Sequence, residues 1–587
     1  MGLATVLILS SLSAVAEGGR VAAAATVDGG LTFAGKRLGK PVIYMRGPGL
    51  RRPRVVPTRG WASGPAVSPG GRRIAFSRRG RLGAQIWTVY LEGAGLVRLT
   101  DGPRDYEPRW SPAGDAVVFA RGRPGRRDIF TVRADGTGLR RLTFRSTDDR
   151  SPSWSLRQRI AFVRRGRDRH AGGEIYDVAA AGGRARRLTH AGVDDRTPAW
   201  SPGGGRLAFA RGRPGEHDLY LLGADRSHPR RLTALPGDES EPAWSPDGRS
   251  IAFTYSRHGR RRLLLLRIRR RPPRVLDSPE LRVLSSARAE PRTPGWRPVG
   301  VDPVVAAAGD IACDPGDPYF EGGLGAGPFC RQRQTSDLLL RMDLAGVLAL
   351  GDLQYECGGG TAFAQSYDPS WGRVKSITRP APGNKEYATS GGSNCDKTGK
   401  AAGYYNYFGA AAGDPTKGYY SYNLGSWHLI ALNSNCSSVG GCGAGSPQEK
   451  WLTADLAASS AACTLAYWHH PRFSSSTGDT STVSAFWDDL YAANADLVLN
   501  GHSHVYERFA AQTPAEAVDN ARGVREFIVG TGGRSFHSWG TIEKTSQVRN
   551  NTTFGVLKLT LRPTGYDWQF VPEAGKTFTD SGTTPCH

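Results

Sequence analysis

Between residues 60 and 300 the chain repeats one pattern at spacings of 43 to 52 residues. Each unit reads P-x-W-S-P-x-G, followed by an apolar strand ending in Phe, an aromatic strand and R-L-T. The residue before the Ser-Pro turn recurs at Val67, Trp110, Trp154, Trp200, Trp244 and Trp296. A unit of this length makes one small sheet, which can bury its faces only against neighbouring units. The repeat therefore predicts the blades of a β-propeller.

Six anchor positions predict six blades, and the segment from Thr26 to Trp61 is expected to supply the remaining strands of the sixth. The repeat resembles the propeller of TolB-like proteins, the WD40-like P-x-W-S-P-D-G type, over residues 25–298. Because that family is mostly six-bladed, the resemblance implies an all-β domain of six blades.

Acids recur shortly before the tryptophan positions, at Asp105, Asp149, Asp195 and Asp238. A residue repeated in successive units is usually structural, so we expect these acids to cap the turn that enters each blade rather than to bind a metal. The histidines of this half, among them His170 and His228, show no ligand spacing. We therefore interpret the propeller as a binding module.

The net charge of +24 comes from the first half of the chain, because residues 300–587 hold 21 Lys+Arg against 27 Asp+Glu. Nearly all the cations of the first half are Arg, which is typical of GC-rich coding sequences and does not predict a specific nucleic-acid site. The charge still attracts polyanions at low salt. The expected partner of the propeller is an unknown protein or a cell-surface polyanion.

Residues 1–16, MGLATVLILSSLSAVA, combine an apolar stretch with the small-x-small end Ala14-Val15-Ala16, which predicts a signal peptide. An uncleaved anchor is the alternative, although the apolar stretch is too short to span a bilayer and no transmembrane segment is expected.

All eight cysteines follow residue 312: Cys313, Cys330, Cys357, Cys395, Cys436, Cys442, Cys463 and Cys586. An even number confined to one region predicts disulfides in an oxidising compartment. We therefore expect a secreted, extracellular protein or one held at the cell surface.

From Pro303 onward, apolar strands alternate with polar motifs. Val304–Ala308 runs into Gly-Asp310, and Val347–Leu350 runs into Gly-Asp352-x-x-Tyr355. The later motifs are Gly383-Asn384-Lys385-Glu386, His469-His470-Pro471 and Gly501-His502-Ser503-His504. Strands that end in carboxylates and imidazoles converge at one edge of an α/β sheet, which predicts a metal site.

The order G-D, G-D-x-x-Y, G-N-x-E, H-x-P and G-H-x-H identifies residues 303–575 as similar to the calcineurin-like metallophosphoesterases. Most of that superfamily reads D-x-H at the first motif, where this chain has Ala312. The purple-acid-phosphatase-like branch places a Tyr three residues after the second Asp instead, and Tyr355 stands there. The resemblance implies an α/β domain of the four-layer αββα type, following the propeller in a multi-domain chain.

The resemblance also implies the ligand set. Asp310, Tyr355 and His504 would hold the first metal ion, Asn384, His469 and His502 the second, and Asp352 would bridge them. Such a site holds two divalent or trivalent ions, iron paired with zinc, manganese or iron, because oxygen and imidazole ligands suit these metals. The implied activity is that of a phosphatase, a metal-dependent phosphoric ester hydrolase in which a metal-bound hydroxide attacks a phosphomonoester.

One position departs from the family, which usually reads G-N-H-E and uses that His to protonate the leaving group. Here the residue is Lys385, whose ordinary pKa makes an amine a poor proton donor at neutral pH. Lys385 would then stabilise phosphate charge, and His470 becomes the candidate acid, with a packed or supporting histidine as the alternative. The competing interpretation of the whole chain is a surface binding protein that works through its propeller and carries a weakened phosphoesterase.

Overall fold

The computed structural model describes residues 30–297 and 301–587, with the exceptions of 38, 47–52, 82, 145–146, 167–171, 191, 224–228, 269–280, 285–289, 477 and 479. The predicted signal peptide, His170 and His228 lie outside the described residues. None of the helices in the described part of the chain combines the length and the apolar character that crossing a membrane requires.

The first half is a six-bladed β-propeller, counted over the described residues, and each blade is a four-stranded antiparallel sheet. The strands β1 to β24 are Leu31–Arg37, Lys40–Arg46, Arg54–Val55, Ala62–Val67, Arg73–Gly80, Gly83–Tyr90, Val97–Arg98, Asp105–Trp110, Ala116–Arg123, Arg126–Arg133, Arg140–Arg141, Asp148–Trp154, Arg159–Arg165, Glu174–Ala179, Arg186–Arg187, Asp194–Trp200, Leu207–Arg213, Glu216–Leu222, Arg230–Arg231, Asp238–Trp244, Ser250–Arg257, Arg260–Arg267, Leu281–Val283 and Arg292–Trp296. Five blades use consecutive strands, β4–β7 through β20–β23. The expected six-bladed architecture is confirmed.

The sixth blade is built from both ends of the propeller sequence. Its order is β24-β1-β2-β3, with Leu31 opposite Trp296 and Thr32 opposite Gly295. The strands after Thr26 therefore complete the last blade, as the repeat count predicted. This pairing closes the ring and leaves no gap between the first and last blades.

The repeated tryptophans connect neighbouring blades. The indole N–H of Trp110 donates to the carbonyl of Ala66 at 3.0 Å, and that of Trp244 donates to the carbonyl of Ala199 at 3.0 Å. Each acceptor lies on the innermost strand of the preceding blade. Trp110 and Trp244 thus bury their rings and satisfy their single donor across a blade interface, whereas the indole N–H of Trp154 donates to Gln158 of its own blade at 3.2 Å.

The repeated acids are structural, but they do not act as simple turn caps. Asp105 binds the guanidinium of Arg121 through both oxygens, at 2.6 and 2.8 Å. The pairs Asp149–Arg164 and Asp195–Arg211 repeat this geometry, and Asp238 contacts His217 Nδ1 at 2.7 Å instead. The arginine partner lies on the next strand of the same blade. Some of the arginines that give the first half its positive charge are therefore paired with aspartates inside the blades.

The second half contains two mixed sheets and, within the described residues, six α-helical segments. Strands β25 to β37 are Val304–Ala308, Gly346–Leu350, Thr378–Ala381, Tyr420–Leu424, Trp427–Ala431, Cys463–Tyr467, Leu497–Asn500, Tyr506–Gln512, Val524–Val529, Ser546–Asn550, Gly555–Arg562, Gly565–Pro572 and Ser581–Pro585. Helices α1 to α6 are Gln332–Arg341, Gly360–Ala362, Asn384–Tyr387, Ala402–Phe408, Pro447–Ala458 and Ser484–Ala492. Sheet I has the order β27-β26-β25-β35-β36-β37, and sheet II the order β28-β29-β30-β31-β33-β32-β34.

The side chains of sheet II alternate between two apolar layers. Leu465 and Leu497 face sheet I, whereas Ala466 and Val498 face the layer that contains Leu452 of α5 and Trp487 of α6. Helix α1 and the aromatic segments around Trp371 and Tyr404 belong to the cluster that contains sheet I. Alternation with period two explains how one strand serves both layers. The result is the expected sandwich of two sheets between helical layers.

The two halves contact each other through α1. The hydroxyl of Tyr90 in the propeller lies 3.0 Å from the carbonyl oxygen of Met342 and 3.3 Å from that of Leu339. The guanidinium of Arg341 lies 3.7 Å from Asp135. Tyr90 is fully buried, so its hydroxyl needs these partners. The helix that connects two strands of sheet I is thereby fixed to the propeller rim.

The eight cysteines form four disulfides, and all eight positions are among the described residues. The pairs are Cys313–Cys330, Cys357–Cys395, Cys436–Cys442 and Cys463–Cys586. No cysteine is free. The predicted disulfides are therefore confirmed, and Cys463–Cys586 ties the C-terminal strand to the centre of sheet II.

Two disulfides that close loops of different length should differ in their effect on stability. Cys463 and Cys586 are 123 residues apart, whereas Cys436 and Cys442 are 6 apart. Replacing the first pair by Ser should cost about 5 kcal/mol of unfolding free energy, and the second about 2.4 kcal/mol, because the longer loop restricts the unfolded chain more. Thermal unfolding of the two variants measures the difference.

Thiol titration of unreduced protein should find no free cysteine, and six or more thiols would contradict an oxidising location.

Candidate metal centre

The predicted ligands follow directly after parallel strands. Asp310 follows β25 and Asp352 lies just beyond β26 in sheet I, while His469 and His502 come after β30 and β31 in sheet II. Parallel strands present their carboxyl ends at the same edge of a sheet. The two sheets therefore bring these four side chains to one edge of the sandwich.

The backbone at this edge is unusual. A Cβ added to Gly351 would lie 2.5 Å from Nδ1 of His469, so no larger residue fits before Asp352. Left-handed φ angles occur at Asp310 (58°), Asp352 (49°) and His502 (67°). Each such non-glycine residue costs on the order of 1–3 kcal/mol, and this kind of backbone strain concentrates at functional sites.

The first group of side chains contains Asp310, Tyr355 and His504. The phenol of Tyr355 donates to Asp310 Oδ1 at 2.7 Å, and its oxygen lies 2.9 Å from His504 Nε2. Nε2 of His504 is 3.2 Å from Asp310 Oδ1. All three residues are buried. Burial raises the pKa of Tyr355 well above its usual value, and Asp310 and Asp352 reinforce this shift.

The second group contains Asn384, His469 and His502. Nε2 of His469 lies 3.1 Å from Asn384 Oδ1 and 3.2 Å from His502 Nδ1. Oδ1 of Asp352 is 3.3 Å from the same nitrogen. Asp310 joins the two groups, because its Oδ2 accepts the backbone N–H of His502 at 2.8 Å. Asp310, Asp352 and His469 offer ligand atoms within 4.8 Å of one another.

Hydrogen bonds orient two of the imidazoles. Nδ1–H of His469 donates to the carbonyl of Leu350 at 2.9 Å, and Nδ1–H of His504 donates to the carbonyl of Ser535 at 2.6 Å. Each bond leaves Nε2 as the nitrogen that faces the carboxylates. Metal-ligating histidines are usually held in this way. Three imidazole nitrogens, two carboxylates, an amide oxygen and a phenol form a donor set that fits a pair of iron, zinc or manganese ions.

The buried charges shift one another. Burial opposes the charged form of Asp352, but the charge and hydrogen bond of His469 together with the backbone N–H of Lys385 outweigh it, and the pKa of Asp352 falls below its usual range. Burial likewise opposes protonation of His469, but Asp352 raises its pKa to about 9. Burial and the neighbouring His469 lower the pKa of His470 to about 3 and of His502 to about 4. Asp310 and Asp352 therefore keep their negative charge although they are buried, which is the state in which carboxylates bind a cation.

Glu386 of the G-N-x-E motif shapes the loop that carries Asp352. Its carboxylate is fully buried and accepts backbone N–H groups. The donors are Gly383 at 2.7 Å, Leu353 at 2.9 Å, Asp352 at 3.0 Å and Gln354 at 3.3 Å. Burial raises the pKa of Glu386 to about 7. The residue thus fixes the strand-end turn and contacts Asp352 only through the backbone.

The two predicted catalytic residues lie beside the proposed ligands. The backbone N–H of Lys385 donates to Asp352 Oδ1 at 2.8 Å, and its ammonium forms an ion pair with Glu356 at 3.0 Å. Nδ1 of His470 lies 2.8 Å from Ser434 Oγ, and its ring centroid is 4.4 Å from that of His502. With its lowered pKa, His470 is a neutral imidazole in this environment. That state favours a ligating or hydrogen-bonding role over that of a protonated acid.

The sequence analysis missed three residues of the centre, which are Glu356, Arg534 and His537. Arg534 lies with its guanidinium 5.4 Å from the ring centroid of Tyr355 and bonds Glu356 at 2.7 Å. His537 stacks on His504 with centroids 3.9 Å apart. Both Arg534 and His537 follow strand β33 in the segment Gly-Thr-Gly-Gly-Arg-Ser-Phe-His. This is another apolar strand ending in glycines and polar residues, the same signal that located the other motifs.

Comparisons with known proteins find similarity to a propeller family and to a phosphatase. The family profile described as "TolB beta propeller domain" matches residues 29–197 and 174–270. "Purple acid phosphatase 15" of Arabidopsis thaliana is 34% identical over 97 residues, which is 15% of this chain and 18% of that protein. The chain therefore aligns with about a fifth of the length of this curated relative.

Solved structures are similar to this chain at low sequence identity. TolB from Acinetobacter baumannii is 20% identical, with a TM-score of 0.38, and covers 46% of this chain and 67% of its own. A purple acid phosphatase from yellow lupin (Lupinus luteus) seeds is 14% identical, with a TM-score of 0.40, and covers 80% of this chain and 79% of its own. The sequence similarity to a purple acid phosphatase supports a phosphoesterase-like domain in this chain.

Proposed function

We propose that the protein is a secreted dinuclear-metal phosphoesterase that hydrolyses phosphomonoesters, with the propeller as a binding module. The observation that carries this proposal is the convergence of seven donors from separate segments on one buried edge. Their mutual separations are 2.7 to 3.3 Å where they touch. Buried polar groups packed this closely need a partner of opposite charge.

The ligand assignment follows the two groups. Asp310, Tyr355 and His504 would hold one ion, and Asn384, His469 and His502 the other, with the carboxylate of Asp352 shared. Two such ions, when bound, polarise the phosphate oxygens and lower the pKa of a bound water.

The remaining side chains bind and orient the substrate. Lys385 and Arg534 place positive charge beside Tyr355, with Glu356 holding both cations in position. His470 presents a neutral imidazole between His469 and His502. In this assignment Lys385 stabilises phosphate charge, and His470 supports the second group as a neutral hydrogen-bonding imidazole rather than as the acid expected from the sequence.

The location and partners of the protein form part of the same proposal. Four disulfides fit an extracellular or cell-surface protein. The arginine-rich propeller would bind a protein or a surface polyanion.

A surface binding protein with a weakened phosphoesterase remains the second candidate. The ion pair between Lys385 and Glu356 favours this second candidate, because the pair engages the ammonium group that would otherwise bind the phosphate. Turnover of a simple phosphomonoester by the metal-loaded protein separates the two candidates.

The visible absorption of the iron-loaded protein tests the assignment of Tyr355 as a metal ligand. A phenolate bound to ferric iron absorbs visible light, so the full chain loaded with iron under oxidising conditions should be pink to purple. Tyr355→Phe should lose this band, because the substitution removes only the ligating oxygen. Activity should fall only in part, since Asp310, Asp352 and His504 stay in place. Absorption spectra and metal analysis of both proteins measure this.

Tyr367→Phe is the matched control, since Tyr367 lies in the aromatic core beside Phe363. It should keep the band. A colourless, fully active wild-type protein without iron would overturn the purple-phosphatase assignment and leave a general metallophosphoesterase. A protein that binds no metal and turns over no phosphomonoester would overturn the proposed function itself.

A further inference from the structure

A cleft lies between the first two blades, on the face of the propeller that points away from the phosphoesterase. The sheets β4–β7, β8–β11, β12–β15 and β16–β19 are blades 1 to 4. Blade 1 contacts the phosphoesterase at the turn after β6, where the N–H of Gly95 donates to the carbonyl of Arg373 at 3.0 Å. The cleft, which we call the blade cleft, is formed at the other end of the same strands and has a volume of about 920 Å³. Because β6 has 8 residues, the blade cleft lies about 25 Å from that contact.

The repeat changes in blade 1 at the edge of the blade cleft. The innermost strand of blade 3 begins with Asp148-Asp149, whereas blade 1 has Trp61-Ala62 at these positions. Ala62 lies opposite Arg78 in the strand register, at the place that an aspartate occupies in each of the next three blades. Blade 1 therefore keeps the arginine of the repeat and lacks both acids.

A second departure from the repeat opens the space between blades 1 and 2. Between blades 2 and 3, the guanidinium of Arg127 bonds both oxygens of Asp148 at 2.8 Å. The equivalent residues between blades 1 and 2 are Ala84 and Arg104, which are joined by a backbone bridge. A methyl group thus stands where the next interface has a guanidinium, and a cation stands where it has an acid. The smaller side chain leaves room for a ligand, and Arg104 leaves a positive charge beside it.

The lining of the blade cleft is strongly basic. Arg79, Arg81, Arg104 and Arg123 line it, and no Asp or Glu is among its described lining residues. None of these four arginines takes part in an ion pair with another described residue, in contrast to Arg121 of blade 2, which binds Asp105. Guanidinium groups bind phosphate oxygens through paired hydrogen bonds. The blade cleft therefore favours a ligand that carries several negative charges.

An exposed indole forms one wall of the blade cleft. Trp61 lines the cleft and is 47% exposed, and the guanidinium of Arg79 lies 5.8 Å from its ring centroid. The backbone N–H of Arg79 donates to the carbonyl of Trp61 at 3.2 Å, which fixes the two residues side by side. Nucleobases stack on aromatic rings and on guanidinium planes. A small inorganic anion would use the arginines but would leave the indole and most of the volume uncovered.

We infer that the blade cleft binds a nucleotide, either free as a nucleoside polyphosphate or as a unit of a single-stranded nucleic acid. The base stacks on Trp61, and the phosphates bind the arginines that include Arg104 and Arg123. A volume of about 920 Å³ is within the range of sites that hold small organic ligands. This inference rests on the role of binding module that the proposed function gives the propeller, and it names the partner. It does not depend on turnover at the metal centre.

The first test measures binding of a short fluorescent oligothymidine with a 5′ hydroxyl to the full, disulfide-bonded chain by anisotropy. Trp61→Ala should weaken binding about 10-fold, because it removes the ring on which one base stacks. Arg104→Gln combined with Arg123→Gln should reduce the slope of log K against log salt by about 1.4, because each phosphate contact on a single strand contributes about 0.7.

Two control variants come from other blades. Phe144→Ala removes a ring that is 71% exposed and lies 5.0 Å from the guanidinium of Arg141, but Arg141 is paired with Asp128. Arg213→Gln removes the equivalent of Arg123 in blade 4. Both variants should keep the affinity and the salt slope of the wild type.

The second test separates the base from the phosphates by calorimetry. The wild type should bind the imido analogue of ATP about 10-fold more tightly than tripolyphosphate, and Trp61→Ala should lose this difference. Binding at the metal centre is common to both proteins and cancels in the comparison. A nucleotide preference that Trp61→Ala removes identifies the free nucleotide as a ligand. A Trp61-dependent affinity for the oligothymidine alone identifies the single strand.

Other outcomes would overturn the inference. They are equal affinities of wild type and Trp61→Ala for both nucleotide probes, or tighter binding of dextran sulfate than of the oligothymidine. Trp61→Ala should hydrolyse a simple phosphomonoester at the wild-type rate, since the blade cleft is remote from the metal centre. Nucleotide binding by a wild-type protein that takes up no metal and shows no turnover would overturn the proposed phosphoesterase and leave the blade cleft in place. Circular dichroism of each variant shows whether the fold is kept.

Discussion

Replacing Asp352 with alanine should abolish phosphatase activity, a loss of more than about a thousandfold, and should remove most of the bound metal. Its carboxylate lies 3.3 Å from His469 Nε2 and is the ligand that the proposal shares between both ions. Losing a group that merely supports a ligand typically costs 10- to 100-fold in metal affinity or activity. Losing a ligand common to two ions should exceed about 100-fold in affinity for each. Metal analysis after dialysis, together with turnover of an aryl phosphate, measures both effects.

Asp337→Ala is the matched control, because Asp337 is an exposed carboxylate that pairs with Arg373 on the far side of α1. It should retain metal and activity. Full metal loading in the Asp352→Ala protein would show that the bridging assignment is wrong.

Replacing Glu386 with alanine should destabilise the C-terminal domain by about 3–5 kcal/mol, because several buried backbone N–H groups would lose their acceptor. The turn that carries Asp352 would relax, and metal content should fall with it. Glu386→Gln keeps one acceptor oxygen and should lose roughly half as much stability. Calorimetric unfolding of the three proteins, analysed for the C-terminal transition, provides the measurement.

A Glu386→Ala protein with unchanged unfolding temperature and full metal loading would contradict this structural role. A lowered unfolding temperature with full metal loading would instead show that Glu386 affects the stability of the domain but not its metal binding. The glutamine variant distinguishes lost hydrogen bonds from lost charge, since it keeps the shape of the side chain.

Much of the centre could be predicted from local sequence. Asp310, Asp352, His469 and His502 each come within a few residues after a short apolar strand, and position along such a strand fixes the edge at which the side chain emerges. Tyr355 was predicted because its spacing from Asp352 is a feature of one branch of the family. Predicting these residues therefore did not depend on knowing which loops contact one another in the fold.

The ion pair between Arg534 and Glu356 could not be predicted in the same way, although Arg534 itself follows an apolar strand as the other motifs do. Their roles arise from an ion-pair network between loops far apart in the sequence, and many charged residues of the chain would have served equally well as candidates. The same limit applies to the repeated acids of the propeller. Their periodicity predicted a structural role, but the partner of Asp105, Arg121, depends on strand register.

The closure of the propeller by β24 and β1 has a consequence for biosynthesis. Because Leu31 pairs with Trp296, the β1–β2 hairpin, the first in the described residues, has no partner strand on its inner side until almost the whole propeller has been made. An unpaired strand edge is an aggregation hazard, and pairing over such a separation is slow. Ring completion immediately precedes the phosphoesterase in the chain. Chains truncated before residue 296 should therefore leave the inner edge of β1 unpaired and accumulate as aggregates.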